Sequence, residues 1–303
     1  MKKIAVIGGG TGSYTVLTGL KDYAVELTAI PSMFDSGGHS GELRVEEGVL
    51  PPGDARRCLA ALAHDASDLR EIFNYRYKDV SVGNLFIAAL QKKYGCDAKA
   101  IERAGEILNI QGRVLPVSKN DSHLCALLEN GEEIYGETEI DRPKKSLRSP
   151  IKQVRLDPPA FIYRETYEAI IDADMIVLGP GDLYTSIIPN LLVKGVPEAI
   201  QASDATRVYI CNLMTKDGET NGFNASDHAS RIADLVGLDY IVCNSTIPEK
   251  NRLKEYATEH AVPVVIDKAL SRYATTIVQA DVMSDASLVR HDSDKLARLL
   301  LSL

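Results

Sequence analysis

The chain has 303 residues and a formal charge of −8, with 34 basic against 42 acidic side chains, which argues against a sequence-independent grip on nucleic acid because that needs a basic face. Its five cysteines, Cys58, Cys96, Cys125, Cys211 and Cys243, are odd in number and lack C-x-x-C spacing, so they read as reduced thiols of a cytoplasmic protein. No segment approaches membrane-spanning length, and a chain of this size buries roughly three quarters of its unfolded surface, enough to fold without a disulfide or metal staple.

From Lys2 the sequence runs KKIAVIGGGTGSYTVLTGLKDY. Ile4, Ala5, Val6 and Ile7 form a short apolar run bounded by glycine, which predicts a strand buried on both faces of a parallel sheet. Ser13 is the predicted N-cap of a helix in which Val16, Leu17 and Leu20 recur at helical spacing. A strand, a glycine turn and a helix in that order aim backbone N–H groups and a positive helix end at an anion, most often phosphate. Gly9, Gly10, Thr11, Gly12 and Ser13 are the candidates for that contact. The dinucleotide pattern G-x-G-x-x-G is incomplete, since Ser13 stands where the third glycine belongs. The second strand, about 25–30, leads into PSMFDSGGHSG without an acid directly at its end for a ribose. A P-loop fails too, because no Lys-Ser or Lys-Thr follows. The loop is expected to hold phosphate; a plain tight turn is the alternative.

Residues 54–108 are predicted to be mostly helical, with Ser67, Ser81 and Asp97 at caps. PPGDARRC makes Asp54 the cap of one of these helices and puts Arg56 and Arg57 in its first turn. Arginine is unfavourable beside a positive helix end, so the pair invites an anionic partner. Between 113 and 140 the period changes, and Asn130-Gly131 signals a hairpin. DRPKKSLRSP, 141–150, reads as a polar surface loop whose charge is solvated. Beyond 151 the chain alternates again: a helix ending at 171, a strand DMIVLG, a helix after GPGDLYTS, a strand RVYICN, a helix ASDHASRIADLVG, a strand DYIVCN, a helix EKNRLKEYATEHA and a strand PVVI. This order predicts an α/β, Rossmann-like doubly wound fold: a mostly parallel sheet in one domain over 1–303, with a helical insertion and a small β-hairpin at about 54–140.

Ligands of open α/β sheets lie beyond the carboxyl ends of the strands. Five loops there carry small or polar residues: 8–13; 34–41 with Asp35, Gly37 and Gly38; 179–182 with Gly179, Gly181 and Asp182; Asn212; and Asn244. Each has an ordinary turn reading, but their coincidence on one edge favours a ligand site. No His/Cys grouping suits zinc. Asp35, Asp54 and Asp182 suit Mg²⁺ against a diphosphate, and serve equally as caps and turn acids. No G-x-S-x-G elbow is present, and no catalytic residue is identified.

Several stretches together resemble the CofD-like proteins, and within them the YvcK branch, often labelled gluconeogenesis factors. They are IGGGTGSYTVLTGLK, DSGGHSGELRVEEGVLPPGDARRCLAAL, SVGNLFIAAL, GPGDLYTSIIPNLLVKGVPEAI, YICNLMTKDGETNGFNASDH, PVVID and RHDSDKLARLLLSL. The resemblance implies a Rossmann-like fold whose YvcK members bind UDP-sugars, UDP-N-acetylglucosamine in particular, and act in bacterial cell-shape and cell-wall control without established catalysis. The chain is therefore expected to be a cytoplasmic nucleotide-sugar-binding regulator of carbon flux into the cell wall, a homo-oligomer, with cell-wall or central-metabolism proteins as partners. The sister branch implies an alternative, a transferase that moves a 2-phospholactyl group from a GDP-linked donor to a deazaflavin with Mg²⁺. By the same resemblance Asn84 joins the ligand site, and Tyr256 and Arg290 correspond to a tyrosine and an arginine associated with UDP-sugar binding. Tyr256 would stack on uracil and Arg290 pair with phosphate; the plain alternatives are a ring packed on the sheet and an ion pair with Asp292 or Asp294. The chain departs from the family pattern by losing an acid after Asp35 and a histidine before Asn84. It also gains Asp182 where GPGS is usual, so a Mg²⁺ site would rest on Asp35 and Asp182.

Overall fold

The computed structural model describes residues 1–64, 68–144 and 147–303. Seven strands, Lys2–Gly8 (β1), Val25–Pro31 (β2), Arg113–Val114 (β3), Met175–Leu178 (β4), Thr206–Ile210 (β5), Tyr240–Asn244 (β6) and Thr276–Ala280 (β7), form one all-parallel sheet in the order β7-β6-β5-β4-β1-β2-β3. Ile4 lies opposite Leu27 on one side and Met175 on the other. The apolar runs at Ile4–Ile7 and Met175–Leu178 are at most 1% exposed, as expected of central strands covered on both faces. The chain leaves β1 toward β2 and β3, then returns to the other side of β1 as β4. The strand order therefore reverses between β1 and β4, which is where such sheets open a crevice at their carboxyl ends.

Helices Gly10–Leu20 (α1), Gly38–Glu47 (α2) and Gly53–Leu62 (α3) follow the first two strands. α2 arises where the sequence shows only a glycine-rich loop: it begins Gly38-His39-Ser40, and GELRVEE supplies the helix formers only afterwards. Two more predicted helices form as Val82–Tyr94 and Asp97–Leu108. Ser81 caps the first, its hydroxyl accepting from Asn84 N at 3.4 Å. Asp97 is not a cap: Cys96 holds that position, and the Asp97 carboxylate accepts from Leu50 N at 3.1 Å, tying two segments together. Ser67 lies outside the described residues.

A second, antiparallel sheet sits beside this core. His123–Leu128 pairs with Glu133–Tyr135 across the Asn130-Gly131 turn, where Gly131 has φ +88° and Asn130 Oδ1 accepts from Glu132 N at 3.0 Å. Its third strand is Ile151–Asp157, ahead of a helix that starts only at Arg164. Ile151, Val154 and Leu156 are the buried positions of that strand, a pattern closer to period two than to a helix. The expected strand at 263–266 makes only a single bridge, Pro263 to Met214. Proline cannot donate to a ladder, and the sheet instead takes β7 at that edge. Within 141–150, Lys145 and Ser146 lie outside the described residues. Arg148 there is not solvated: its guanidinium donates to the carbonyls of Gly218 (2.8 Å), Glu139 (3.0 Å) and Ile140 (2.6 Å). One continuous buried core joins β1, the antiparallel sheet and the C-terminal helix Ser293–Ser302. Among the described residues no helix is long and apolar enough to cross a membrane.

Candidate functional site

A cleft of about 1290 Å³ opens at the carboxyl ends of β1, β2, β4 and β5. The loop after β1 forms its floor. α1 starts at Gly10, with Gly9 as the extended N-cap residue, so Ser13 is a first-turn residue and not the cap. Ser13 is 1% exposed, its hydroxyl has no partner, and it does not line the cleft. Gly9, Gly10, Thr11 and Gly12 do line it. Gly10 has φ +66°, a left-handed conformation that favours glycine. Gly12 meets the loop after β4 so closely that a Cβ would come within 1.8 Å of the Pro180 carbonyl oxygen. The two glycine loops at the strand-order reversal are thus interlocked. Gly181 and Asp182 face the cleft from that second loop, whereas Gly179 is packed behind it against Ile187.

The start of α3 forms one wall. Asp54 is not its cap, since Pro52 occupies that position; the carboxylate crosses instead to Gly10, accepting its N–H at 2.8 Å. Arg57 lies 3.8 Å from Asp54, and its guanidinium stands over Gly10, 3.5 Å from where a Cβ would be. Arg56 is buried, donates to Asn74 Oδ1 at 3.2 Å, and leaves its Nε unpartnered. Burial, with Arg57 and Arg76 close by, lowers its pKa to about 10. Asp35, Gly37 and Gly38 also line the cleft, Asp35 Oδ1 accepting from Gly37 N at 2.8 Å. Asn84 is buried next to Ser40, with its Oδ1 unpartnered. Glu137, which no sequence motif pointed to, completes a concentration of acids. Burial, followed by Asp35, Asp141 and Asp54, pushes its carboxyl well up. Burial and then Asp35 raise Asp54 from 3.8 to about 6, against the pull of Arg57.

Asp182 is taken by a residue the sequence reading did not single out. Lys216 Nζ bonds Asp182 Oδ2 at 2.7 Å, lies 3.0 Å from Glu219 Oε1, and donates to Asp141 Oδ1. Among the described residues these three acids are the one group of His, Cys, Asp or Glu side chains whose ligand atoms converge to metal-binding distances. The donor set suits a hard divalent ion, but an ammonium stands between its members. Asp182 therefore turns to Lys216, not to Asp35, and a Mg²⁺ held jointly by Asp35 and Asp182 does not fit this arrangement.

The far wall is partly apolar, with Leu213, Met214, Tyr256 and Val289. The Tyr256 hydroxyl accepts from Val289 N at 3.0 Å, and its ring packs on a small cluster of Leu213, Met283 and Val289. The ring is thus pinned by packing and still reaches the cleft. Arg290 is exposed at the cleft and, among the described residues, pairs with no acid; Asp292 is committed as the N-cap of the last helix, accepting from Lys295 N at 2.8 Å. Next to Arg290, His291 also faces the cleft. Burial lowers its pKa to about 4, which keeps the ring neutral, and its Nε2 is unpartnered. Asn212 lines the cleft while accepting from Gly181 N at 3.3 Å. Asn244 does not: its amide donates to the Thr246 carbonyl and its Oδ1 accepts from Val282 N, which makes it a turn residue.

Residues 4–283 match the family model described as 2-phospho-L-lactate transferase CofD. The gluconeogenesis factor of Bacillus subtilis (strain 168) is 38% identical over 314 residues, covering 99% of this chain and 98% of that protein. The gluconeogenesis factor of Halalkalibacterium halodurans is 40% identical over 315 residues, covering 99% and 96%. A crystal structure from Bacillus halodurans, described as a member of the UPF0052 family, matches with a TM-score of 0.95 at 38% identity, over 99% of this chain and 100% of that one. The chain belongs to the CofD family, and within it resembles the gluconeogenesis factors.

Proposed function

We propose that this CofD-family chain binds a nucleotide-sugar of the UDP-N-acetylglucosamine type, with the diphosphate between α1 and Arg57 and the base toward Tyr256. The observation that carries the reading is Arg57. Its guanidinium stands over Gly10 at the positive end of an eleven-residue helix, where first-turn N–H groups have no intrahelical acceptor. Asp54, 3.8 Å away and beyond hydrogen-bond length, leaves that guanidinium donors to spare for a phosphate. Leu213, Met214, Val289 and the pinned Tyr256 ring offer the apolar and aromatic surface on which a base would rest.

In this reading the protein acts by affinity alone, as a cytoplasmic regulator of carbon flux into the cell wall and of cell shape, working through protein partners. The gluconeogenesis-factor names of its relatives support a place in carbon metabolism. Thermal-shift and calorimetric titrations against UDP-N-acetylglucosamine, UDP-glucose, GDP and NAD test it, since a ligand of the native state raises stability by mass action. UDP-sugars are expected to give the largest shifts; an NAD shift exceeding every UDP-sugar shift overturns the reading.

The family description favours a second reading, transfer of a 2-phospholactyl group from a GDP-linked donor to a deazaflavin. The Asp54 carboxylate, raised to about 6 and still mostly ionised at neutral pH, would supply a proton acceptor beside the phosphates, and Glu137, which burial keeps protonated, a donor. Assay for that product in the presence of Mg²⁺ is expected to find none.

A further inference from the structure

We infer that Lys216 is a built-in cation: its ammonium group fills a carboxylate cage of the kind that holds a divalent metal, formed by Asp141, Asp182 and Glu219, and keeps metal out of it. The three acids come from separate parts of the chain. Asp141 ends the short helix Glu137–Asp141, Asp182 follows β4, and Glu219 lies three residues beyond Lys216. Glu219 has a fully buried side chain, and both its oxygens are already oriented, Oε2 accepting from Tyr184 N at 3.1 Å and Oε1 from Thr185 Oγ1 at 3.2 Å. A ligand atom from each acid lies within 4.8 Å of the others. Such a preformed set of hard oxygen donors matches what Mg²⁺, Mn²⁺ or Ca²⁺ requires.

The cation present is the lysine's own. An ammonium has three N–H donors, and Lys216 directs them at Asp141, Asp182 and Glu219. None remains for a phosphate, so Lys216 is a positioning residue although it lines the cleft. Being tethered, it competes with free ions at high effective concentration. Its bond to Asp141, with the Arg148 bond to the Gly218 carbonyl at 2.8 Å, fastens the segment that carries Glu137 and Thr138 to the loop after β5. One ammonium among three carboxylates leaves a negative surplus, so an empty cage would favour a doubly charged ion over a monovalent one.

Mn²⁺ alone is the probe, counted by electron paramagnetic resonance and calorimetry on the full chain, with no nucleotide. Lys216→Met keeps the length of the stem and removes the charge; it is expected to bind one Mn²⁺ per chain more than the wild type. Asp182→Asn added to that variant should abolish the extra ion. The melting temperature of Lys216→Met should rise with Mn²⁺ by more than that of the wild type. Equal Mn²⁺ stoichiometry in wild type and Lys216→Met overturns the inference, as does an extra ion insensitive to Asp182→Asn. A wild-type ion lost on Asp182→Asn alone overturns it as well, because the cage would then hold metal beside the lysine. So does a Lys216→Met chain that folds neither with nor without Mn²⁺, since the ion could not then replace the ammonium.

Discussion

Asp54→Asn should stabilise the protein without ligand at neutral pH, although it alters a group at the centre of the cleft. Burial and the neighbouring Asp35 raise the Asp54 carboxyl from 3.8 to about 6. At about 1.36 kcal/mol per pH unit, holding the charged form at pH 8 costs on the order of 3 kcal/mol. Asparagine keeps an oxygen for the Gly10 N–H, now bonded at 2.8 Å, and removes the charge. The attraction of Arg57, 3.8 Å away, is already contained in that shift, so the expected gain is on the order of 3 kcal/mol. The folded pKa lies above the unfolded one, so the native state holds the proton more tightly between pH 4 and 6. Wild-type stability should therefore fall as pH rises through that window, with the full cost present above it and none below. Urea unfolding of both proteins at pH 4, 6 and 8 measures this: the two curves should converge at pH 4, with Asp54→Asn ahead at pH 8. A variant less stable than wild type at pH 8, or a difference that does not change with pH, refutes the reasoning. A natural carboxylate that weakens the empty protein is expected where function requires it.

Four further outcomes are expected. Arg57→Ala should weaken UDP-N-acetylglucosamine by about ten- to a hundredfold in calorimetry, the value of one charge-assisted hydrogen bond, and leave uridine unchanged; equal losses for both ligands would count against a phosphate contact. Gly10→Val should abolish nucleotide binding and also cost about 1–3 kcal/mol of stability, because φ is +66° there and valine is strained at that angle; a fully stable variant with unaltered affinity contradicts this. Tyr256→Ala should weaken both uridine and UDP-N-acetylglucosamine by roughly ten- to a hundredfold, from a stacking energy of about 1–3 kcal/mol, whereas Arg290→Ala should weaken mainly the sugar nucleotide. Unchanged affinity in both folded variants would place the nucleotide elsewhere.

The sheet was legible in the sequence because central parallel strands must be apolar on both faces. Runs such as IAVI and MIVL therefore announce themselves without knowledge of their neighbours. The glycine loops were legible for a related reason, since close backbone approach and positive φ exclude most side chains. Elements whose signal depends on a partner were not: Ile151–Asp157 is a strand because His123–Leu128 lies beside it, and the place beside β6 goes to β7, while 263–266 keeps a single bridge to Met214. At the site, residue types and sequence neighbours pointed to Asp54, Arg57 and Asp182, and the family resemblance to Arg290. Only the tertiary structure decided their partners, turning Asp54 from a helix cap into an acceptor for Gly10 N–H and Asp182 from a metal ligand into a partner of Lys216. Glu137, Asp141 and Glu219 went unnoticed because an acid on the surface and an acid in a cleft look alike along the chain. Electrostatics depends on distance and burial in three dimensions, and local periodicity carries no information about either.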